Sequence, residues 1–169
     1  MKNVIKFLLL AGICIASHCG KKVDSENCHY AINFSNNSKK NLYVRDNRRV
    51  RSYPLEIGYL DDTVQDRYKV NVGEKKNRIA LLLNGPCWEY MFVGGTPSYV
   101  TSLMDTLSVY IFDAEIVEKN SWEIVVKNNL FLKRYDLTLK DLQRLDWKIT
   151  YPPTEAMKDI EQYPPYGSE

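Results

Sequence analysis

Apolar and polar residues alternate with a period of two along much of this chain, the pattern of half-buried strands. Tyr30, Ile32 and Phe34 point one way, with Ala31 and Asn33 between them. The turn-forming run Asn36-Asn37-Ser38-Lys39-Lys40 follows, and Leu42, Tyr43 and Val44 read as the returning strand of a hairpin. Residues 46–66 show no clear period and are expected to form a long loop, with a weak strand near 53–57. Tyr68, Val70 and Val72 alternate with Lys69 and Asn71, predicting a strand with one wet face. Residues 73–77 turn the chain, and 79–83 form an apolar run short enough for a buried strand. Gly85-Pro86 breaks the chain before Cys87-Trp88, and Gly94-Gly95-Thr96-Pro97 marks another loop. Residues 107–112 carry the strongest strand pattern. Leu107, Val109 and Ile111 on one face and Tyr110 and Phe112 on the other are apolar, so this strand should be central and covered on both sides.

After Asp113 the period lengthens. Ser121 predicts the cap of a short helix carrying Trp122, Val125 and Val126 and ending at Asn128-Asn129. Residues 130–132 look extended. Thr138 followed by Asp141 resembles a capping box, and Leu139, Leu142 and Leu145 fall on one helical face. Residues 147–151 alternate again as a last strand, stopped by Pro152-Pro153. A short helix over 154–162 is expected next, then Tyr163-Pro164-Pro165-Tyr166 as a disordered tail or a polyproline segment. No repeat of solenoid length occurs. The expected fold is mainly β: a sandwich of six to eight mostly antiparallel strands, with two or three short helices in the C-terminal half. It occupies residues 28–153, and 154–169 form the tail.

The first residues change the picture. Lys2 and Lys6 precede an apolar run over residues 7–16, then Ala16-Ser17-His18-Cys19-Gly20 leads into the polar stretch from Lys21 to Glu26. Basic, then apolar, then small is the layout of a secretory signal. The run is roughly 15 Å long as a helix, half of the ~30 Å hydrocarbon core, so a spanning helix is not expected. Ala16 and Ser17 suit a lipoprotein signal cut before Cys19, whose thiol then carries a diacylglycerol. His18 departs from that pattern, which usually has Gly, Ala or Ser there. The alternative is plain secretion with a cut after Ser17. Cys14 follows Ile13 and suits acylation less well. Each buried acyl CH₂ contributes ~0.8 kcal/mol, so two or three chains hold a protein firmly. Residues 1–18 are thus expected to be a signal peptide and 19–27 a lipidated tether.

Removing residues 1–18 from 169 leaves 151, enough for one domain with a real core. Lys2 and Lys6 leave with the signal, so 23 basic residues fall to 21, against 21 acidic ones. A net charge near zero gives no bias toward nucleic acid or a polybasic membrane patch. The densest basic stretch, Arg48-Arg49-Val50-Arg51, reads as a solvated loop. Among four cysteines, Cys14 leaves with the signal and Cys19 is lipidated, so Cys28 and Cys87 remain to pair in an oxidising compartment. Two separate buried thiols are the alternative. Zinc is not indicated, since two cysteines and one histidine lack its ligand spacing.

Several segments carry a likeness. Cys28-His29-Tyr30, Phe34-Ser35-Asn36-Asn37-Ser38 and Leu42-Tyr43-Val44 open the domain, and Cys87-Trp88-Glu89 sits in its middle. The stretch from Asp105 to Ala114, the stretch from Leu132 to Leu139, and Trp147-Lys148-Ile149-Thr150-Tyr151-Pro152-Pro153 follow. Together these resemble a group of small uncharacterised lipoproteins of Bacteroidetes-type bacteria, over roughly residues 28–153. The resemblance implies a lipid-anchored protein of the cell envelope and no transferable activity. Lys21-Lys22 lacks the acidic cluster associated with surface export in such bacteria, which favours the periplasmic face of the outer membrane. Asp62-Thr63-Val64 and Asp105-Thr106-Leu107 resemble an O-glycan acceptor motif of the same bacteria, making Thr63 and Thr106 candidate sites.

No catalytic motif stands out, and no cofactor is expected. His29 is the single histidine beyond the signal, so a Ser-His-Asp or Cys-His site would have to use it. It adjoins Cys28, and a packed or surface histidine is the plainer reading. No glycine-rich phosphate loop occurs. Asp61-Asp62 and Asp113 with Glu115 are the available carboxylate pairs for glycoside hydrolysis, which also fits a chance pairing among 21 acids. The expectation is a non-enzymatic protein that binds or supports another envelope component. A carbohydrate- or peptide-binding module is the alternative, because twelve tyrosines offer contact area at little entropic cost. Tyr53, Tyr59, Tyr90 and Tyr99 lie in or near predicted loops, though packing inside the sandwich is the plainer reading for most tyrosines.

Overall fold

The structure, a computed structural model, describes residues 24–50, 68–81, 87–93 and 104–168. Two sheets face each other. In the smaller, β1 (Ala31–Asn36) lies between β4 (Lys75–Leu81) and β7 (Lys148–Tyr151), antiparallel to β4 and parallel to β7. The larger runs in the order β3 (Lys69–Val70), β2 (Leu42–Val50), β5 (Met104–Asp113), β6 (Lys133–Leu137), β8 (Glu161–Tyr163), every neighbouring pair antiparallel. Four short helices complete the described chain: α1 (Trp88–Val93), α2 (Ala114–Lys119), α3 (Trp122–Lys127) and α4 (Leu139–Arg144). The mainly β architecture expected from the alternation is present.

β5 holds the layers together. Leu107, Val109 and Ile111 point into the space between the sheets and pack with Ile32, Phe34, Trp88, Tyr135 and Ile149. Tyr110 and Phe112 point the other way, into a second cluster with Tyr43, Val117 and Val125 under α2 and α3. All five of these β5 side chains are buried, each apolar one contributing about 2 kcal/mol by leaving water. Local rules end the helices: Ser121 Oγ accepts from Ile124 N, and Thr138 with Asp141 forms a complete capping box on α4.

Several expectations need correction. β1 and β2 are not a hairpin: they belong to different sheets. The buried Asn36 turns the corner, its Nδ2 donating to Lys40 O (2.8 Å), Asn71 O (3.0 Å) and Val70 O (3.2 Å). Its side chain thus replaces the ladder bonds a hairpin would supply. β2 runs through residues 46–50, where a loop was expected, because it pairs residue by residue with the strong central β5. The weak strand near 53–57 lies outside the described residues. β3 is two residues long, since Val72 is exposed in the turn that Gly73 (φ +72°) completes. α1 occupies a segment with no helical pattern, and Trp147 precedes β7 rather than opening it. Residues 154–162 form a 3-10 turn at Glu155–Met157 and then β8, which pairs with β6 instead of trailing as a tail.

Strand direction sorts the connections to two ends. β1 runs up to Asn36, which pairs with Tyr151, and Leu42 pairs with both Val70 and Asp113. Tyr163 pairs with Arg134, beside Lys133, which pairs with Ile111. The 37–41 and 71–74 turns, the start of α2, Pro152-Pro153 and Pro164 therefore gather at one end. His29, where the chain enters from residue 24, lies at the other, about 20 Å away along β1.

Candidate functional site

The entry end is tightly joined. Cys28 and Cys87 are disulfide-bonded with Cα atoms 5.3 Å apart, the pairing that cysteine parity pointed to. The disulfide places α1 so that Trp88 N donates to His29 O (2.8 Å). Glu89 then takes His29 twice: Oε2 accepts from the backbone N–H (2.8 Å) and Oε1 meets ring Nδ1 (2.6 Å). The imidazole lies flat on the Trp147 indole, centroids 4.5 Å apart and planes 17° apart. Upstream, Asp24 Oδ1 accepts from Tyr30 N (2.7 Å). Sequence reasoning missed Glu89, which stands 60 residues from His29. Its nearest signal was the adjoining Cys87.

A carboxylate orienting an imidazole is half of a hydrolytic relay. Among the described residues, no serine, threonine or cysteine side chain hydrogen-bonds to that ring. The arrangement works as a joint: two acceptors, an indole face and a covalent bond fix the first strand to α1.

The candidate carboxylates do other work. Asp113 caps α2, its Oδ1 accepting from Glu115 N (3.0 Å) and its Oδ2 pairing with Lys40 Nζ (2.6 Å), while Glu115 pairs with Lys119 (3.1 Å). Thr106 is half-buried in β5, opposite Arg49. Tyr90 is exposed on α1. Cys19, Asp61, Asp62, Thr63, Tyr53, Tyr59 and Tyr99 lie outside the described residues. Among the described residues, no three His, Cys, Asp or Glu side chains come together as metal ligands. No described helix is long and apolar enough to cross a membrane.

The far end carries two cavities. The first, about 280 Å³, is formed by Lys39, Lys40 and Asn41 on one turn and Asp113, Glu115 and Glu118 on the other side. Two ion pairs involve its lining, Lys40 with Asp113 and Glu118 with Lys69 (2.6 Å). The hydrogen bond from Lys40 to Asp113 raises the Lys40 pKa above its ordinary value, and that from Lys69 lowers the Glu118 pKa. The second cavity, about 180 Å³, is formed by Pro152, Pro153, Tyr166 and Gly167. Tyr166 is 38% exposed, and its hydroxyl donates to Glu155 Oε2 (3.2 Å), which pairs with Lys158 through Oε1 (2.9 Å). Buried Lys133 donates to Pro164 O (3.0 Å), and Thr150 Oγ1 donates to Pro152 O (3.1 Å). The turn after β1 is tied to the end of β7, with Asn37 donating its N–H to Tyr151 O (2.7 Å), just before Pro152.

No protein-family model matches the chain, and neither does any curated protein or solved structure.

Proposed function

We propose that this protein is a cell-envelope lipoprotein, anchored through acylated Cys19, whose β-sandwich has a non-enzymatic binding or supporting role. The Cys28–Cys87 bond carries the reading. A disulfide of this kind is formed in an oxidising compartment, so it supports export. It also uses both cysteines of the domain, leaving Cys19 as the one thiol at the end of the signal-like segment. The resemblance to small Bacteroidetes-type lipoproteins agrees. The anchor sits in the outer membrane, with the domain facing the periplasm.

Mass spectrometry of the protein isolated from its native envelope tests this. A mature chain beginning at Cys19 with the mass of a diacylglycerol and an N-acyl chain is the expected result, together with loss of membrane partitioning in Cys19→Ala. A mature chain with an unmodified Cys19, recovered in the soluble fraction, overturns the anchor and leaves the secreted form. The same spectra read hexose additions at Thr63 and Thr106.

A further inference from the structure

We propose that the end of the sandwich opposite the entry segment binds a neutral oligosaccharide. One sugar ring stacks on Tyr166 in the Pro152–Pro153 cavity, and another ring of the same oligosaccharide takes hydrogen bonds in the Lys40–Asp113 cavity at that end. The proposal deepens the reading above only in orientation: with Cys19 acylated, the site lies roughly 20 Å beyond the entry end, on the side away from the membrane.

The chemistry favours this ligand class in three ways. A pyranose has one face of C–H bonds, weakly positive and apolar, which packs on the negative face of an aromatic ring. Tyr166 offers such a ring at a cavity whose other walls, Pro152, Pro153 and Gly167, add no charge. A polyproline peptide prefers a groove with several aromatic ridges, whereas a single ring lines this cavity.

Hydroxyl groups both donate and accept, so they are best met by a donor and an acceptor side by side. Lys40 with Asp113 and Lys158 with Glu155 are such pairs, one in the first cavity and one beside the second. The lining mixes Lys39 and Lys40 with Asp113, Glu115 and Glu118, and lacks the one-signed basic surface that nucleic acid and acidic glycans require.

The site is also held before any ligand arrives. The Tyr166 hydroxyl is tied to Glu155, Pro164 O to buried Lys133, and Pro165 O to Ser168 Oγ (2.6 Å). Groups fixed in this way lose little entropy on binding.

The test uses the full chain extracted from envelopes in mild detergent. It is titrated calorimetrically with neutral tetrasaccharides built on glucose, mannose, xylose or N-acetylglucosamine, and with a proline-rich decapeptide. At least one tetrasaccharide should bind saturably. Tyr166→Ala should weaken it about tenfold, the loss of one stacking contact. Tyr166→Phe, which keeps the ring but loses the hydrogen bond to Glu155, should weaken binding less than Tyr166→Ala, and Tyr90→Ala, at the entry end, should stay within about twofold. Lys40→Ala should weaken binding severalfold without lowering the melting temperature enough to unfold the domain. Binding that persists in Cys19→Ala separates the site from the anchor. The proposal is overturned if none of the tetrasaccharides binds, if Tyr166→Ala binds as the parent does, or if the decapeptide alone binds.

Discussion

Glu89 holds His29 by two atoms at once, accepting the backbone N–H at 2.8 Å and meeting the ring Nδ1 at 2.6 Å. Both side chains are mostly buried, 20% and 16% exposed. Removing the carboxylate leaves a partly buried N–H without its acceptor. Glu89→Ala should therefore cost about 2 kcal/mol, and Glu89→Gln, which keeps an acceptor for the N–H, about half of that. Urea unfolding curves give both values. Equal losses in the two variants would show that the ring contact, not the backbone one, matters.

The Cys28–Cys87 bond closes a loop across a sequence separation of 59. On the chain-entropy account this stabilises the fold by about 4 kcal/mol, with delivered values often lower. A Cys28→Ser, Cys87→Ser double variant should lose about 2–4 kcal/mol and melt well below the parent. Because the bond positions α1, the double variant should also weaken the Glu89 effect, so that Glu89→Ala costs less in it than alone. Additive losses would contradict this link.

Three exposed carboxylates are held below their ordinary pKa by lysines that donate to them: Glu118 by Lys69, Asp146 by Lys148 and Glu155 by Lys158. A depressed pKa contributes stability that is present above the ordinary value and lost as pH falls through the folded one. Those ordinary values are 4.5, 3.8 and 4.5, so stability should decline below about pH 4.5. Glu118→Gln should flatten that decline by lowering stability slightly at pH 7, by no more than the little an exposed pair contributes, while stability at pH 3 stays that of the parent. Thermal melts between pH 3 and pH 7 measure both slopes.

Thr138 and Asp141 satisfy each other's backbone N–H groups at the start of α4. Thr138→Ala removes one acceptor and should cost about 1 kcal/mol, while Thr138→Ser keeps it and should cost a few tenths. Hydrogen exchange of the first-turn amides should rise in the alanine variant alone.

What could be read from the residues was what neighbours settle. Residues 107–112 are apolar on alternate and intervening positions, and β5 is buried on both faces because no other placement removes both sets from water. Ser121 and Thr138 announce their helices because a cap acts within three residues. Gly73 reads as a turn because its left-handed backbone suits glycine. The Cys28–Cys87 pairing followed from counting, once Cys14 was assigned to the signal and Cys19 to the lipid, and needed no geometry.

Partnership across the chain was not written there. Nothing near Phe34 and Leu42 says that they enter different sheets; the amide of Asn36, bonding three carbonyls, makes that corner. Asp46 and Asn47 have weak strand preference, and only the backbone of β5 makes them a strand. Lys40 and Asp113 are 73 residues apart, and His29 and Glu89 are 60 apart. The sequence determined the class of fold, the leader-like start and the disulfide, since these rest on local periodicity and counting. The tertiary structure alone decided which turns share an end and which side chains meet there, because buried backbone groups must all find partners and those partners are chosen by packing, not by nearness in sequence.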